Sequence, residues 1–217
     1  MNINEIFLSI QGEGPYTGEK MLFIRTEYCN LRCSWCDTKY SFNEGKIFTI
    51  PQIIETVNEY RNKNDFDWIC ITGGEPLLQR DLNELISILT DNYKILLETS
   101  GSIDIGKFLP IYNSVYKDID FKLPSSGMYN KFNYTNINYI SDHDYIKFTV
   151  GDQMDFDIFI KEAEKINHLN NSIQFIIQPV WGKDPKWFAD AFINAKIKNT
   201  KFMLQEHKYV FGDVRGK

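Results

Sequence analysis

Residues 21–36 read MLFIRTEYCNLRCSWC: a short apolar run, one arginine, then three cysteines within eight residues. The run at 21–26 has the length and content of a buried strand, and the cysteine segment follows it directly. The same order recurs along the chain. Residues 67–72 are strand-like and lead into Gly73-Gly74-Glu75-Pro76, and 93–98 end at Thr99-Ser100-Gly101. Residues 115–122 close on Leu-Pro-Ser-Ser-Gly, and 172–180 carry Gln178-Pro179. Residues 6–10, 145–150 and 201–205 read as further extended segments. Between them lie helical patterns with a 3.6-residue period. Pro51 opens one with Ile53, Ile54, Val57 and Tyr60. Leu82, Leu85, Ile86 and Leu89 mark a second, and Phe156, Phe159, Ile160, Ala163 and Ile166 a third; residues 187–197 form the last. The Asn/Tyr-rich stretch 129–139 reads as an irregular insertion.

Strands alternating with helices predict an α/β fold with a parallel sheet flanked by helices. Ligands in such folds gather beyond the carboxyl ends of the strands, where loops vary while the sheet holds them in place. The polar, glycine-rich and cysteine-rich segments all fall at those ends, which predicts one composite site.

The bulk composition narrows the function. A chain of 217 residues suits one domain or two small ones. It should bury roughly 70% of its unfolded surface, so it needs no disulfide staples. With 24 Lys+Arg against 29 Asp+Glu the net charge is −5, which argues against a broad nucleic-acid footprint. No run approaches the ~20 apolar residues of a membrane span. The start, MNINEIFLSIQGEG, lacks the basic and apolar regions of a signal peptide. A cytoplasmic setting is expected, where thiols stay reduced.

In that setting the triplet Cys29, Cys33 and Cys36 points to metal. Thiolates suit both iron–sulfur clusters and zinc. Structural zinc wants four ligands, so His or Asp would have to complete the set. The fourth cysteine, Cys70, lies in the apolar run Trp68-Ile69-Cys70-Ile71 and reads as a core thiol. Three ligands on a four-iron cluster would leave one iron open to a small molecule. Spacing alone leaves both metals open.

Cys-x-x-x-Cys-x-x-Cys after one strand and Gly-Gly-Glu-Pro after the next resemble the signature of the radical S-adenosylmethionine superfamily. Gln11-Gly12-Glu13-Gly14, Phe23-x-Arg25, Cys36-Asp37-Thr38 and Gln205-x-His207-Lys208 are together similar to the 7-carboxy-7-deazaguanine synthase family. These motifs run from residue 11 to 208, nearly the whole chain. The resemblance implies a partial (β/α) barrel of mostly parallel strands over residues 1–217, as one domain whose C-terminal tail binds substrate. It implies a [4Fe-4S] cluster on Cys29, Cys33 and Cys36, S-adenosylmethionine as a cofactor re-formed at each turnover, and magnesium. The implied reaction is ring contraction of 6-carboxy-5,6,7,8-tetrahydropterin to 7-carboxy-7-deazaguanine with loss of ammonia, feeding deazapurines such as queuosine. An electron donor such as flavodoxin or ferredoxin and a homodimer belong to the same expectation. The radical comes from the cofactor, so no side chain is assigned as a catalytic group.

For cofactor contacts the expected residues are Trp35, Asp37, Gly74, Glu75, Ser100, Asp120, Lys122, Gln178 and Pro179. Glu75 is a possible acceptor for the methionine ammonium. For substrate they are Ile10, Gln11, Gly12, Glu13, Arg25, Thr72 and His207. Glu13 can accept from the N–H and amino groups of an aminopterin edge, while Gly12 lets backbone approach. Arg25 can bind a planar carboxylate bidentately, although a surface ion pair would also explain it. Thr38 offers a hard hydroxyl oxygen to magnesium, with Asp37 in the outer sphere; a local cap would account for Thr38 equally. His143 and His168 read as surface residues. The trailing GDVRGK reads as either ordered near the site or disordered. Two alternatives remain: a glycyl-radical activase, which gives no role to QGEG or QxHK, and a zinc-binding interaction module. Iron and sulfide content after anaerobic purification separates cluster from zinc.

Overall fold

A computed structural model describes residues 1–107 and 115–216. The chain opens with β1 (Asn2–Ile10) and β2 (Lys20–Thr26), followed by the cysteine loop and the short β3 (Lys46–Ile47). Helix α1 (Ile50–Lys63), β4 (Trp68–Gly73), α2 (Leu82–Leu89), β5 (Lys94–Thr99) and β6 (Val115–Phe121) come next. Then follow β7 (Tyr145–Val150), α3 (Gln153–Leu169), β8 (Gln174–Pro179), α4 (Pro185–Asn194), β9 (Thr200–Phe202) and α5 (Glu206–Phe211). All lie in or against one sheet of order β3-β1-β2-β4-β5-β6-β7-β8-β9. From β2 to β9 every pairing is parallel, whereas β1 runs antiparallel to β2 and β3. The expected strands and helices are present with shifted ends. The antiparallel pairing of β1, the edge strand β3 and helix α5 have no counterpart in the sequence-based expectation. Residues 129–139 form short 3-10 turns, Tyr129–Lys131 and Tyr134–Tyr139.

Local chemistry sets the helix starts. Thr49 and Gln52 form a reciprocal capping box that spans Pro51, and Asp152 accepts from Asp155 N at 2.9 Å to cap α3. Alternation along the strands divides the apolar residues between two cores. Leu22, Ile24, Ile69, Ile71, Ile95, Leu97, Ile146 and Phe148 pack outward into the larger core shared with the helices. Met21, Phe23, Trp68, Cys70, Leu96, Tyr145 and Ile176 form an inner cluster, and Phe7 of β1 and Met203 just past β9 pack onto it. Strands at opposite ends of the order can share one small cluster only if the sheet curls, which makes a partial, unclosed (β/α) barrel. Along the inner face, the positions nearer the carboxyl ends turn polar: Arg25, Thr72, Glu98, Asp120, Lys147 and Gln178. Among the described residues no helix is long and apolar enough to cross a membrane.

Candidate active site

A cavity of about 460 Å³ opens at the carboxyl ends of the parallel strands, within the usual range for small-molecule sites. Cys29, Cys33 and Cys36 form part of its wall, with the QGEG loop, the ends of β4 to β8 and the tail after β9 forming the rest. Every residue expected at the site lines it except Glu75 and Pro179.

The cysteine loop is held by the glycines that follow β4. Gly74 N donates to Thr26 O at 3.0 Å and Glu75 N to Tyr28 O at 2.7 Å. A Cβ on Gly74 would fall 2.0 Å from the Tyr28 carbonyl oxygen, so only glycine permits this approach. Tyr28 itself has φ +72°, a left-handed conformation that costs a tyrosine roughly 1–2 kcal/mol. The Gly-Gly clamp enforces that turn and aims Cys29 at the cavity. On the far side of the loop, Ser34 N donates to Ser126 O at 3.0 Å and the Trp35 indole to Ser125 Oγ at 3.2 Å.

Glu75 is already engaged within the protein. Its side chain is fully buried, and its two oxygens accept from Leu77 N, Thr99 Oγ1, Ser100 N and Ser100 Oγ. With four donors on one carboxylate, nothing is left for an ammonium, and the residue braces the ends of β4 and β5 together. Glu75→Ala should leave several of those donors buried without an acceptor and lower the unfolding free energy by about 3–5 kcal/mol. Denaturant titration of the purified protein checks this; a loss under 1 kcal/mol (about fivefold in the equilibrium) would refute the bracing role. Pro179 ends β8 and is buried, between Gln178 and Val180 of the cavity wall.

The QGEG loop and the tail form a second lock. Gln205 Nε2 donates to Glu13 Oε1 at 2.7 Å and Glu206 N to Gly12 O at 2.9 Å. A Cβ on Gly12 would lie 2.2 Å from Nδ1 of His207, so this glycine makes room for the histidine of the tail, where closeness to a ligand was expected. Lys208, almost wholly buried, donates to Asp37 Oδ2 at 2.6 Å and pairs with Asp213 at 3.3 Å. Asp37 therefore ties the cysteine loop to the tail. Arg215 reaches Glu5 Oε2 at 3.2 Å, Glu44 at 3.0 Å and Asn4 at 2.9 Å, so the trailing segment is anchored up to that residue. Lys217 lies outside the described residues.

The remaining polar groups divide into those already engaged and those still open. Arg25 Nε donates to Glu5 Oε1 at 2.7 Å, while its two terminal nitrogens bond to no described residue. Thr38 Oγ1 has one neighbour of note, Cys36 Sγ at 3.6 Å. Asp120 Oδ1 and Gln178 Oε1 are buried acceptors without a partner among the described residues, although Asp120 Oδ2 holds Lys122 at 2.8 Å. Glu98, absent from the sequence-based set, accepts from Gln11 Nε2 at 2.8 Å. Lys147, also missed, lies between Glu13 Oε2 and Asp118 Oδ2, each at 2.7 Å. One sign of Lys147 was available in YIKFTV, where a lysine falls on the inward parity of an otherwise buried strand. Of the remaining histidines, His168 is exposed as expected, while the half-buried His143 packs its ring on Tyr116.

Charge follows burial here. Burial would raise the pKa of Glu13, but the Lys147 ammonium, His207 and Gln205 outweigh it and hold the carboxyl well below the usual range. Burial pushes the Cys29 and Cys33 thiols up, opposed in part by the Lys122 cation, so binding a metal there must expel protons. Among the described residues no group of three or more His, Cys, Asp or Glu side chains is placed to hold a single metal ion. The donor set suits the larger group better. Three thiols share one cavity wall, and the unpartnered Asp120 and Gln178 oxygens await donors of the kind that ammonium, ribose and adenine groups provide.

The radical SAM superfamily model matches residues 23–111. A 7-carboxy-7-deazaguanine synthase of Thermoplasma acidophilum is 40% identical over 217 residues, covering 100% of both chains. One of Koribacter versatilis is 36% identical over 194 residues, 88% of this chain and 83% of the relative. Among solved structures, QueE from Escherichia coli superposes with a TM-score of 0.75 at 21% identity, covering 94% of this chain and 92% of that one. Streptococcus suis SuiB gives a TM-score of 0.61 at 15% identity, covering 85% of this chain and 48% of that one. The last two likenesses concern the fold.

Proposed function

The chain belongs to the 7-carboxy-7-deazaguanine synthase family, and from that membership we infer how its cavity divides between cofactor and substrate. The protein is a radical S-adenosylmethionine lyase that contracts 6-carboxy-5,6,7,8-tetrahydropterin to 7-carboxy-7-deazaguanine and ammonia. The observation that carries the assignment of residues is the meeting of the cysteine loop with the QGEG–QxHK lock in one cavity.

When bound, the [4Fe-4S] cluster and S-adenosylmethionine supply the one-electron chemistry for hydrogen abstraction. Cys29, Cys33 and Cys36 would hold the cluster, with Gly74, Ser100, Asp120, Lys122, Gln178, Trp35 and Asp37 on the cofactor side. Asp37 acts there by holding the tail. Glu75 stands behind this wall as the brace for Ser100. On the substrate side, Arg25 offers its two open nitrogens to the pterin carboxylate, the pairing for which guanidinium is shaped. Glu13 accepts from the ring edge, with Ile10, Gln11, Thr72 and His207 completing the pocket. These groups bind and orient the substrate and exclude water, so that the reacting carbon is held in place.

Magnesium at Thr38 is part of the proposal, because the residue lines the cavity and its hydroxyl has no hydrogen bond to nitrogen or oxygen among the described residues. Thr38→Ala should weaken stimulation of turnover by magnesium while iron content stays at the parent level. Unchanged stimulation would remove Thr38 from the metal site. One domain over residues 1–217, a cytoplasmic location, a homodimer and a flavodoxin- or ferredoxin-type donor complete the reading. An anaerobic assay with the carboxytetrahydropterin, following product absorbance and mass, tests it. Cleavage of S-adenosylmethionine with no deazaguanine formed would reduce the reading to a radical enzyme of other substrate.

A further inference from the structure

Lys147 is buried on the inner face of β7, in the layer where the barrel interior turns from apolar to charged. Its ammonium touches Glu13 Oε2 and Asp118 Oδ2 at 2.7 Å each, and Asp120 Oδ2 lies at 3.9 Å. Glu98 on β5, one strand beyond β6, also acts on its charge, and the Tyr145 ring lies two residues earlier on the same strand. On the tail side, Gln205 and His207 approach Glu13 from the opposite direction. The lysine is therefore surrounded by carboxylates from the β1–β2 loop, β5 and β6. Its pKa is raised well above the ordinary value, because burial, which would lower it, is outweighed by those four acids.

We propose that Lys147 is a positioning residue for the pterin reaction, wedged beneath Glu13 so that this carboxylate stays ionised and fixed as an acceptor. The proposal rests on the reading of Glu13 as a substrate contact. Lysine spends one lone pair of Oε2 and Gln205 one of Oε1, which leaves each oxygen a further acceptor direction. A protonated Glu13 would instead present a hydroxyl donor to a ring edge made of donors. Burial alone drives Glu13 toward that neutral form, and His207 at the tail joins Lys147 in opposing it. Asp118 anchors the lysine from behind at 2.7 Å, and burial, with Asp120 and Glu98 adding to it, raises its own pKa. Removing the ammonium thus changes the polarity of Glu13, while no hydrogen bond of Lys147 runs to the cysteine loop among the described residues.

The test is Lys147→Met, compared with Glu13→Gln and the double variant. Carboxyl carbon resonances of labelled glutamate, with Glu13 assigned by its absence in Glu13→Gln, read protonation with no cofactor loaded. The parent Glu13 should not titrate between about pH 5 and 8, whereas in Lys147→Met it should titrate inside that window. Pterin kcat/KM of Lys147→Met should fall about tenfold to a hundredfold at neutral pH, with a new acidic limb absent from the Lys147→Met/Glu13→Gln double variant. If Lys147→Met does not fold, Lys147→Met/Asp118→Asn, which also removes the stranded acid, is read in the same way. A flat Glu13 resonance and a parental pH profile in the lysine variant would overturn the proposal while leaving Glu13 as a substrate contact. Undiminished turnover by Glu13→Gln would instead sink the reading on which it stands.

Discussion

Changing any one of Cys29, Cys33 or Cys36 to alanine should abolish cleavage of S-adenosylmethionine and the visible absorption of the cluster. Each thiolate would bind a different iron, and the half-buried loop offers no fourth sulfur to take its place. Cys70 is the one other cysteine, and it lies in the inner apolar cluster at 0% exposure. Burial and the neighbouring Glu98 push its thiol pKa well up, so it is neither ionised nor able to reach the loop. Cys70→Ala should keep iron content and cleavage at the parent level and cost about 1–2 kcal/mol of stability, as for a small core side chain. Iron and sulfide analysis with an anaerobic cleavage assay decides the matter. Loss of the cluster in Cys70→Ala would overturn the ligand assignment.

Glu13→Gln, Arg25→Ala and His207→Ala should each lose deazaguanine formation while reductive cleavage without substrate survives. Removing one charged, desolvated contact costs on the order of 2–4 kcal/mol, a loss of roughly thirtyfold to a thousandfold in kcat/KM. The three differ in what else they disturb. Glu13→Gln breaks an ion pair with Lys147, and His207→Ala removes the ring seated over Gly12. Arg25→Ala leaves Glu5 to Tyr40 and Arg215, so its local structure is the best protected of the three. Cleavage and pterin turnover are to be measured separately, with iron checked in each variant. Near-parental pterin turnover in one variant removes that residue, and in all three it returns the substrate to an open question.

The barrel was legible because its strands are short apolar runs ending in polar, glycine-rich punctuation, a pattern that local sequence carries by itself. The composite site was legible for the same reason: odd residues at strand ends must converge once the strands are parallel. Pairing over long separations was not. Nothing in residues 2–10 states that they lie antiparallel to β2, since both directions use the same alternation. Nothing in GGEP announces the four donors that engage Glu75, from the end of β5, the residue after it and the turn after β4. Gly12 reads as a place for substrate until a histidine 195 positions later is found above it. Lys147 gave a local sign, a charge on the inward face of a buried strand, but its partners come from two other elements.

The tail contacts also have a bearing on biosynthesis. Gln205 grips Glu13 across 192 positions, Lys208 grips Asp37 across 171, and Arg215 grips Glu5 across 210. On the ribosome, the loops that receive these side chains emerge long before the residues that clasp them. A nascent chain halted ahead of residue 205 would carry all nine strand segments complete, yet its ligand loops would hang unfastened. Translation thus finishes the sheet first and the pocket last, so a stalled or clipped product would be folded in its framework and unable to retain the pterin.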